Sequence, residues 1–175
     1  MTNAAERDDM PSVIILMGVS GSGKSTIGAA LSQQLGWPYA DADVFHPPAN
    51  VAKMSARQPL NDDDRKPWLG AIAAHIDAAR AKGGHAIVSC SALKRAYRDV
   101  LVGARRDVRL VLLDGNEDLI AARMNARKDH FMPTSLLASQ FATLERPSAD
   151  ERALVVPVDG TPQEIAADIV RRLRA

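Results

Sequence analysis

Gly18-Val19-Ser20-Gly21-Ser22-Gly23-Lys24-Ser25 is a complete phosphate-binding loop, GxxxxGK followed by a hydroxyl residue. Its flanks turn the pattern into a site. Val13-Ile14-Ile15-Leu16-Met17 precedes it and reads as a buried strand, and the apolar stripe Ile27, Ala30, Leu31 and Leu35 after it reads as a helix. A flexible Gly/Ser turn would need neither the lysine, the hydroxyl nor these neighbours. Glycines let backbone N–H groups approach phosphate oxygens, and the helix N-terminus adds its partial positive charge. Gly18 through Ser25, together with Thr26, is therefore the expected nucleotide cradle. Lys24 is expected to reach the β- and γ-phosphates, and the Ser25 hydroxyl to ligate Mg²⁺.

The remainder of the 175 residues reads as one domain, with 46% hydrophobic and 25% charged residues. A net charge of +1 gives no global field for nucleic acid or an anionic membrane. Cys90 is the one cysteine, so an internal disulfide is excluded and a reducing compartment is expected. Residues 1–11 are polar, carry no targeting pattern and read as a disordered tail, and no apolar run reaches the roughly 18–20 residues of a membrane span. Together these features predict a cytoplasmic protein.

Strands are expected at Tyr39-Ala40, Ala86–Val88, Val108–Leu113 and Leu154–Val156, alternating with helical stripes. Leu35-Gly36-Trp37-Pro38 ends the first helix. Asn61-Asp62-Asp63-Asp64 starts another, in which Pro67 is tolerated only within the first turn. Thr161-Pro162-Gln163-Glu164 is a capping box with proline at the first helical position. Strands alternating with helices predict an α/β fold: a parallel sheet with helices on both faces.

Ligands in such sheets collect beyond the carboxyl ends of the strands. Asp41 and Asp43 sit there after the second strand. Taken alone they are solvated turn residues. One strand after a phosphate loop, alternation along an extended segment would turn both into one cleft, one towards Mg²⁺ and one towards an acceptor hydroxyl. The third strand ends in Ser89-Cys90-Ser91 without the magnesium carboxylate of motor and AAA-type ATPases. Ser91 and Lys94 instead offer a hydroxyl and a cation. His46, Lys53, Arg57, Arg65 and Lys66 add positive charge suited to an anionic acceptor, although any one of them alone reads as a surface residue. Arg123 and Arg127 share a helix face at the root of the polar stretch Lys128–Pro133. They are either a solvated face or the base of a lid, about 124–140, that brings guanidinium charge to the phosphates. Asp159–Pro162 is a candidate neighbour of the nucleotide base, and Cys90 reads as packing.

Several stretches together resemble the small phosphate-loop gluconokinases. They are Met17–Ser25, Asp41-Ala42-Asp43 with His46-Pro47, Asn50 with Lys53-Met54, Pro59–Leu69, Cys90–Lys94 with Tyr97-Arg98-Asp99, and Ala126-Arg127-Lys128 with His130-Phe131. Pro59–Leu69 and Cys90–Lys94 are the family-specific ones. The resemblance implies a nucleoside-monophosphate-kinase-like, three-layer fold with a five-stranded parallel sheet. It implies transfer of the ATP γ-phosphoryl group to D-gluconate, giving 6-phosphogluconate for the pentose phosphate and Entner–Doudoroff routes. It also implies a cytoplasmic homodimer. By analogy with the similar shikimate kinases, Asp41 would hold a magnesium-bound water and Asp43 would meet the acceptor hydroxyl. Lys24, Asp43, Arg123 and Arg127 would carry catalysis, and Asp43, His46, Lys53, Arg65, Ser91 and Lys94 would bind gluconate. Pro48-Ala49 departs from the arginines that relatives often carry, which leaves the acceptor loop's details open. The rivals are a kinase for shikimate or a polyol, and a nucleotide-dependent switch. A guanine-specific Asn-Lys-x-Asp string is absent, which disfavours a GTPase.

Overall fold

In the computed structural model, which describes residues 10–126 and 134–175, all five strands run parallel. They are β1 (Val13–Met17), β2 (Tyr39–Asp41), β3 (Ala86–Ser89), β4 (Val108–Asp114) and β5 (Leu154–Pro157), in the order β2-β3-β1-β4-β5. β1 lies at the centre, and every residue from Val13 to Met17 is fully buried. That is why it reads as an unbroken apolar run: a parallel strand covered on both faces has no polar side to show.

Alternate side chains of β1 feed two cores. Ile14 and Leu16 pack with α1 (Lys24–Leu35) and α7 (Pro162–Leu173) through Ile27, Leu31, Ile165 and Ile169. Val13, Ile15 and Met17 pack on the other face, against Trp68, Leu69, Ile72 and Ile76 of α3 (Asp62–Ala81) and Leu101 of α4 (Arg95–Leu101). A smaller third cluster, Val19, Leu93, Ile120 and Leu137, joins the phosphate loop to α5 (Glu117–Ala126) and α6 (Thr134–Thr143). Met10 packs on the α1/α7 core and Pro11 is buried, so the last two residues of the expected tail are in place. Residues 1–9 lie outside the described residues.

The local signals have visible causes. Gly36 ends α1 in the left-handed conformation. Asn61 caps α3 in a reciprocal box with Asp64, and Thr161 caps α7 with Glu164. Two expectations need correction. Asp43 is not on an extended segment: it lies in a 3₁₀ turn, Ala42–Phe45, which Asp41 caps by accepting from the Asp43 amide at 2.9 Å. The short side chain of Asp41 offers the backbone a turn in place of a longer strand. Pro67 lies inside α3, beyond its first turn. The carbonyl it leaves unbonded is that of Asp63, an exposed residue, where water can satisfy it.

Candidate active site

β1 ends at the point where the chain changes direction across the sheet, because β2 and β3 lie on one side of it and β4 and β5 on the other. The phosphate loop therefore stands between two cavities. One, of about 490 Å³, is lined by Ser20, Gly21, Gly23, Lys24 and Ser25, by Asp41 and Asp43 beyond β2, and by Ser89, Cys90 and Ser91 beyond β3. His46, Leu60, Arg65, Trp68 and Gln140 complete it. The other, of about 240 Å³, is lined by Gly21, Gly23, Thr26, Arg123, Gly160 and Pro162. Gly21 has φ +80°, and a Cβ there would meet Met124 at 2.6 Å, so the loop is pressed against α5 and only glycine fits.

Lys24 is folded back over the loop, donating from Nζ to the carbonyls of Gly18 at 2.9 Å and Val19 at 3.0 Å. Burial pulls its pKa down to about 8, against the opposing charges of Asp41 and Asp43. The Ser25 hydroxyl donates to Asp41 Oδ2 at 3.3 Å. Oxygens in an octahedral Mg²⁺ shell lie about 2.9 Å apart, so this pair fits one edge of such a shell. Among the described residues no group of three or more His, Cys, Asp or Glu side chains gathers for a metal. Mg²⁺ would thus need nucleotide oxygens and water besides Ser25 and Asp41, which is how this hard cation is commonly held.

Asp43 projects into the opening and is 84% exposed. Partial desolvation in the cleft, then the Asp41 charge, raise its pKa above the ordinary aspartate value. His46 stacks on Trp68 with ring centroids 4.4 Å apart, and Trp68 Nε1 donates to the Ala42 carbonyl at 2.8 Å. The Asn50 amide lies 3.2 Å from His46 Nδ1 and can only donate, so the neutral ring carries its proton on Nε2, 4.0 Å from Asp43 Oδ1. Burial lowers the His46 pKa. Arg65 is held by the Leu60 carbonyl at 2.8 Å and presents its guanidinium at the same cavity.

The expected site residues divide accordingly. Lys24, Ser25, Asp41, Asp43, His46, Arg65 and Ser91 come together around one cavity. Arg123 borders the other. Lys53 and Lys94 line neither: Lys53 pairs with Asp64 at 2.8 Å and Lys94 with Asp62 at 3.2 Å. The three aspartates opening α3 answer the helix dipole and draw these lysines to themselves. Arg127, and residues 127–133 of the expected lid, lie outside the described residues.

Trp68 and Gln140 belong to the cavity without having been anticipated. Trp68 reads from its spacing as core alone. Gln140 is a polar residue in the apolar run Leu136–Phe141, a signal that was there to be read. A separate cavity of about 520 Å³ is lined by Arg95, Arg98, Asp99, Arg105, Asp150 and Glu151 among others. Arg95 and Arg98 are held there by Asp150 and Glu151, and no glycine loop reaches it.

A family model described as an AAA domain matches residues 13–147. The Gluconobacter oxydans gluconokinase is 43% identical, over 94% of this chain and 93% of that protein. The crystal structure of a gluconokinase from Sinorhizobium meliloti 1021 superposes with a TM-score of 0.84 at 45% identity, covering 94% of this chain and 92% of the other. Shikimate kinase from Aquifex aeolicus, with a TM-score of 0.56 at 19% identity over 92% and 95% of the two chains, shares the fold alone. Likeness at this level runs the length of the sheet, the phosphate loop and both segments that flank the acceptor side, and the chain belongs to the gluconokinase family of phosphate-loop kinases.

Proposed function

We propose that the chain transfers the γ-phosphoryl group of ATP to the terminal hydroxyl of D-gluconate, yielding 6-phospho-D-gluconate and ADP. One observation carries this reading: Lys24 at the phosphate loop and Asp43 line the same cavity, which also presents Arg65 and His46 to an acceptor. Family membership supports the choice of gluconate. The base of ATP fits the smaller cavity, with Arg123 on one wall and Gly160 and Pro162 on another. The phosphates then run over the loop and bring the γ-phosphoryl group to the larger cavity.

Phosphoryl transfer needs an in-line acceptor, charge neutralisation and somewhere for the hydroxyl proton to go. Lys24 faces the phosphoryl oxygens. Ser25 and Asp41 would hold Mg²⁺, which supplies further neutralisation of phosphate charge when bound. Asp43 accepts the proton of the gluconate hydroxyl, and its raised pKa makes it a better base than an ordinary aspartate. Arg65 receives the carboxylate, while the Ser91 hydroxyl and the His46 Nε2–H meet the sugar-acid hydroxyls. Closure of the segment that carries Arg123 and Arg127 would exclude water. The family resemblance supports a cytoplasmic dimer.

Asp43→Asn is expected to lower kcat about 10²-fold, at the low end for a general base, because a loose transition state asks little deprotonation of the nucleophile. Binding of ATP should stay unchanged. Asp41→Asn should instead raise the Mg²⁺ concentration needed for half-maximal rate. The acid limb of kcat belongs to Asp43: activity is lost as pH falls through its pKa, which lies above the usual aspartate value, and the limb should vanish in Asp43→Asn. If both variants change only nucleotide affinity, this division of roles is wrong. Identification of the product by ³¹P NMR, with one ADP formed per phosphate ester, tests the reaction itself.

A further inference from the structure

Gln140 reaches the phosphate loop from 120 positions away along the chain. Its Oε1 accepts from the Ser20 backbone amide at 2.6 Å, and its Nε2 donates to the Ser20 hydroxyl at 2.8 Å. The contact is anchored. Leu137, one turn earlier on α6 and therefore on the same face, is 2% exposed in the cluster with Val19, Leu93 and Ile120. The Glu145 amide just past α6 donates to the Leu93 carbonyl at 2.8 Å.

The other end of the same peptide matters more. A trans peptide points its C=O and N–H in opposite directions. The carbonyl of the Val19–Ser20 peptide accepts from Lys24 Nζ at 3.0 Å, while its N–H is the group held by Gln140. The peptide lies between two glycines with positive φ, Gly18 and Gly21, so nothing in the local backbone fixes its plane strongly. Gln140 grips one end of it and Lys24 the other.

We propose that Gln140 is a positioning residue for Lys24: acting through the Val19–Ser20 peptide, it sets the phosphate loop and its lysine for the terminal phosphates of the nucleotide. This rests on the reading of the loop as the nucleotide site. It makes docking of α6 a condition for a correctly formed phosphate cradle.

The test is calorimetric binding of a non-hydrolysable ATP analogue, alongside steady-state kinetics. Gln140→Leu is expected to weaken analogue binding and lower kcat/KM for ATP about tenfold, the effect of one well-placed hydrogen bond network. KM for gluconate should stay within about twofold and Tm within about 2 °C, since the side chain lies at a cavity wall rather than in a core. Gln140→Met, which preserves the length, should behave alike. In a Lys24→Met background, Gln140→Leu should cause no further loss of analogue binding, because the group it positions is gone. Ser20→Ala should be milder than Gln140→Leu, as the backbone N–H bond survives. Unchanged analogue binding in Gln140→Leu would overturn the proposal. So would losses that multiply with Lys24→Met, or a fall in Tm with both KM values moving together. The binding arms need no acceptor, so failure of wild-type protein to phosphorylate gluconate would refute the substrate reading separately.

Discussion

Replacing Lys24 with methionine is expected to lower kcat by about 10²–10³-fold, the range found when a fixed donor to developing transition-state charge is removed. Lys24 is the cation that the loop itself places at the transferring group, and nothing else lining the cavity can take its position: Arg65 is tied to Leu60 on the acceptor side. The fold should survive. Lys24 makes its two hydrogen bonds only to loop carbonyls, and its charge is disfavoured where it sits, as the pKa drawn down to about 8 shows. Methionine fills the same stem volume without that desolvation cost. Circular dichroism and a thermal melt should therefore match or exceed the wild type. Near-normal kcat in the variant would remove the phosphate loop from the chemistry.

D-Gluconate should be preferred over glucose and sorbitol by about 10³-fold or more in kcat/KM. The three share a chain of hydroxyls, and only gluconate carries a carboxylate. Arg65 faces the acceptor cavity, while the neighbouring lysines that might have shared this task are already paired with the aspartates of α3. A neutral analogue would bury the guanidinium beside it without a partner, and an unpaired charge costs far more than a lost contact gains. Arg65→Ala should raise KM for gluconate well above its effect on KM for ATP, and should narrow the gap between gluconate and sorbitol. Lys94→Ala should do less. A wild-type enzyme that treats sorbitol like gluconate would show that no charge reads the carboxylate.

The sheet was legible because its centre is unambiguous: five consecutive apolar residues running into a glycine loop admit few other folds. The caps at Asn61 and Thr161 were equally plain, since they depend on residues within three positions of each other. The acceptor side was read less well for the opposite reason. Lys53 and Lys94 are as basic as Arg65, and only the folded arrangement decides which of them meets Asp62 or Asp64 and which meets the cavity. Asp43 was placed in the cleft for the wrong geometric reason, because a capping bond two residues back turns the chain before an extended segment can form. Gln140 pairs with a residue across nearly the whole chain, a relation that no local window contains. Trp68 hid within a helical stripe, where its burial says nothing of the histidine stacked upon it.

The most direct test is the initial rate of ADP formation by the wild-type protein with ATP alone, with ATP and D-gluconate, and with ATP and shikimate. ADP formation that requires D-gluconate, with shikimate giving no more than the background without acceptor, is the result expected of a cavity that pairs Lys24 with Asp43 and Arg65. ADP release at the same rate in all three arms, or fastest with shikimate, would contradict it.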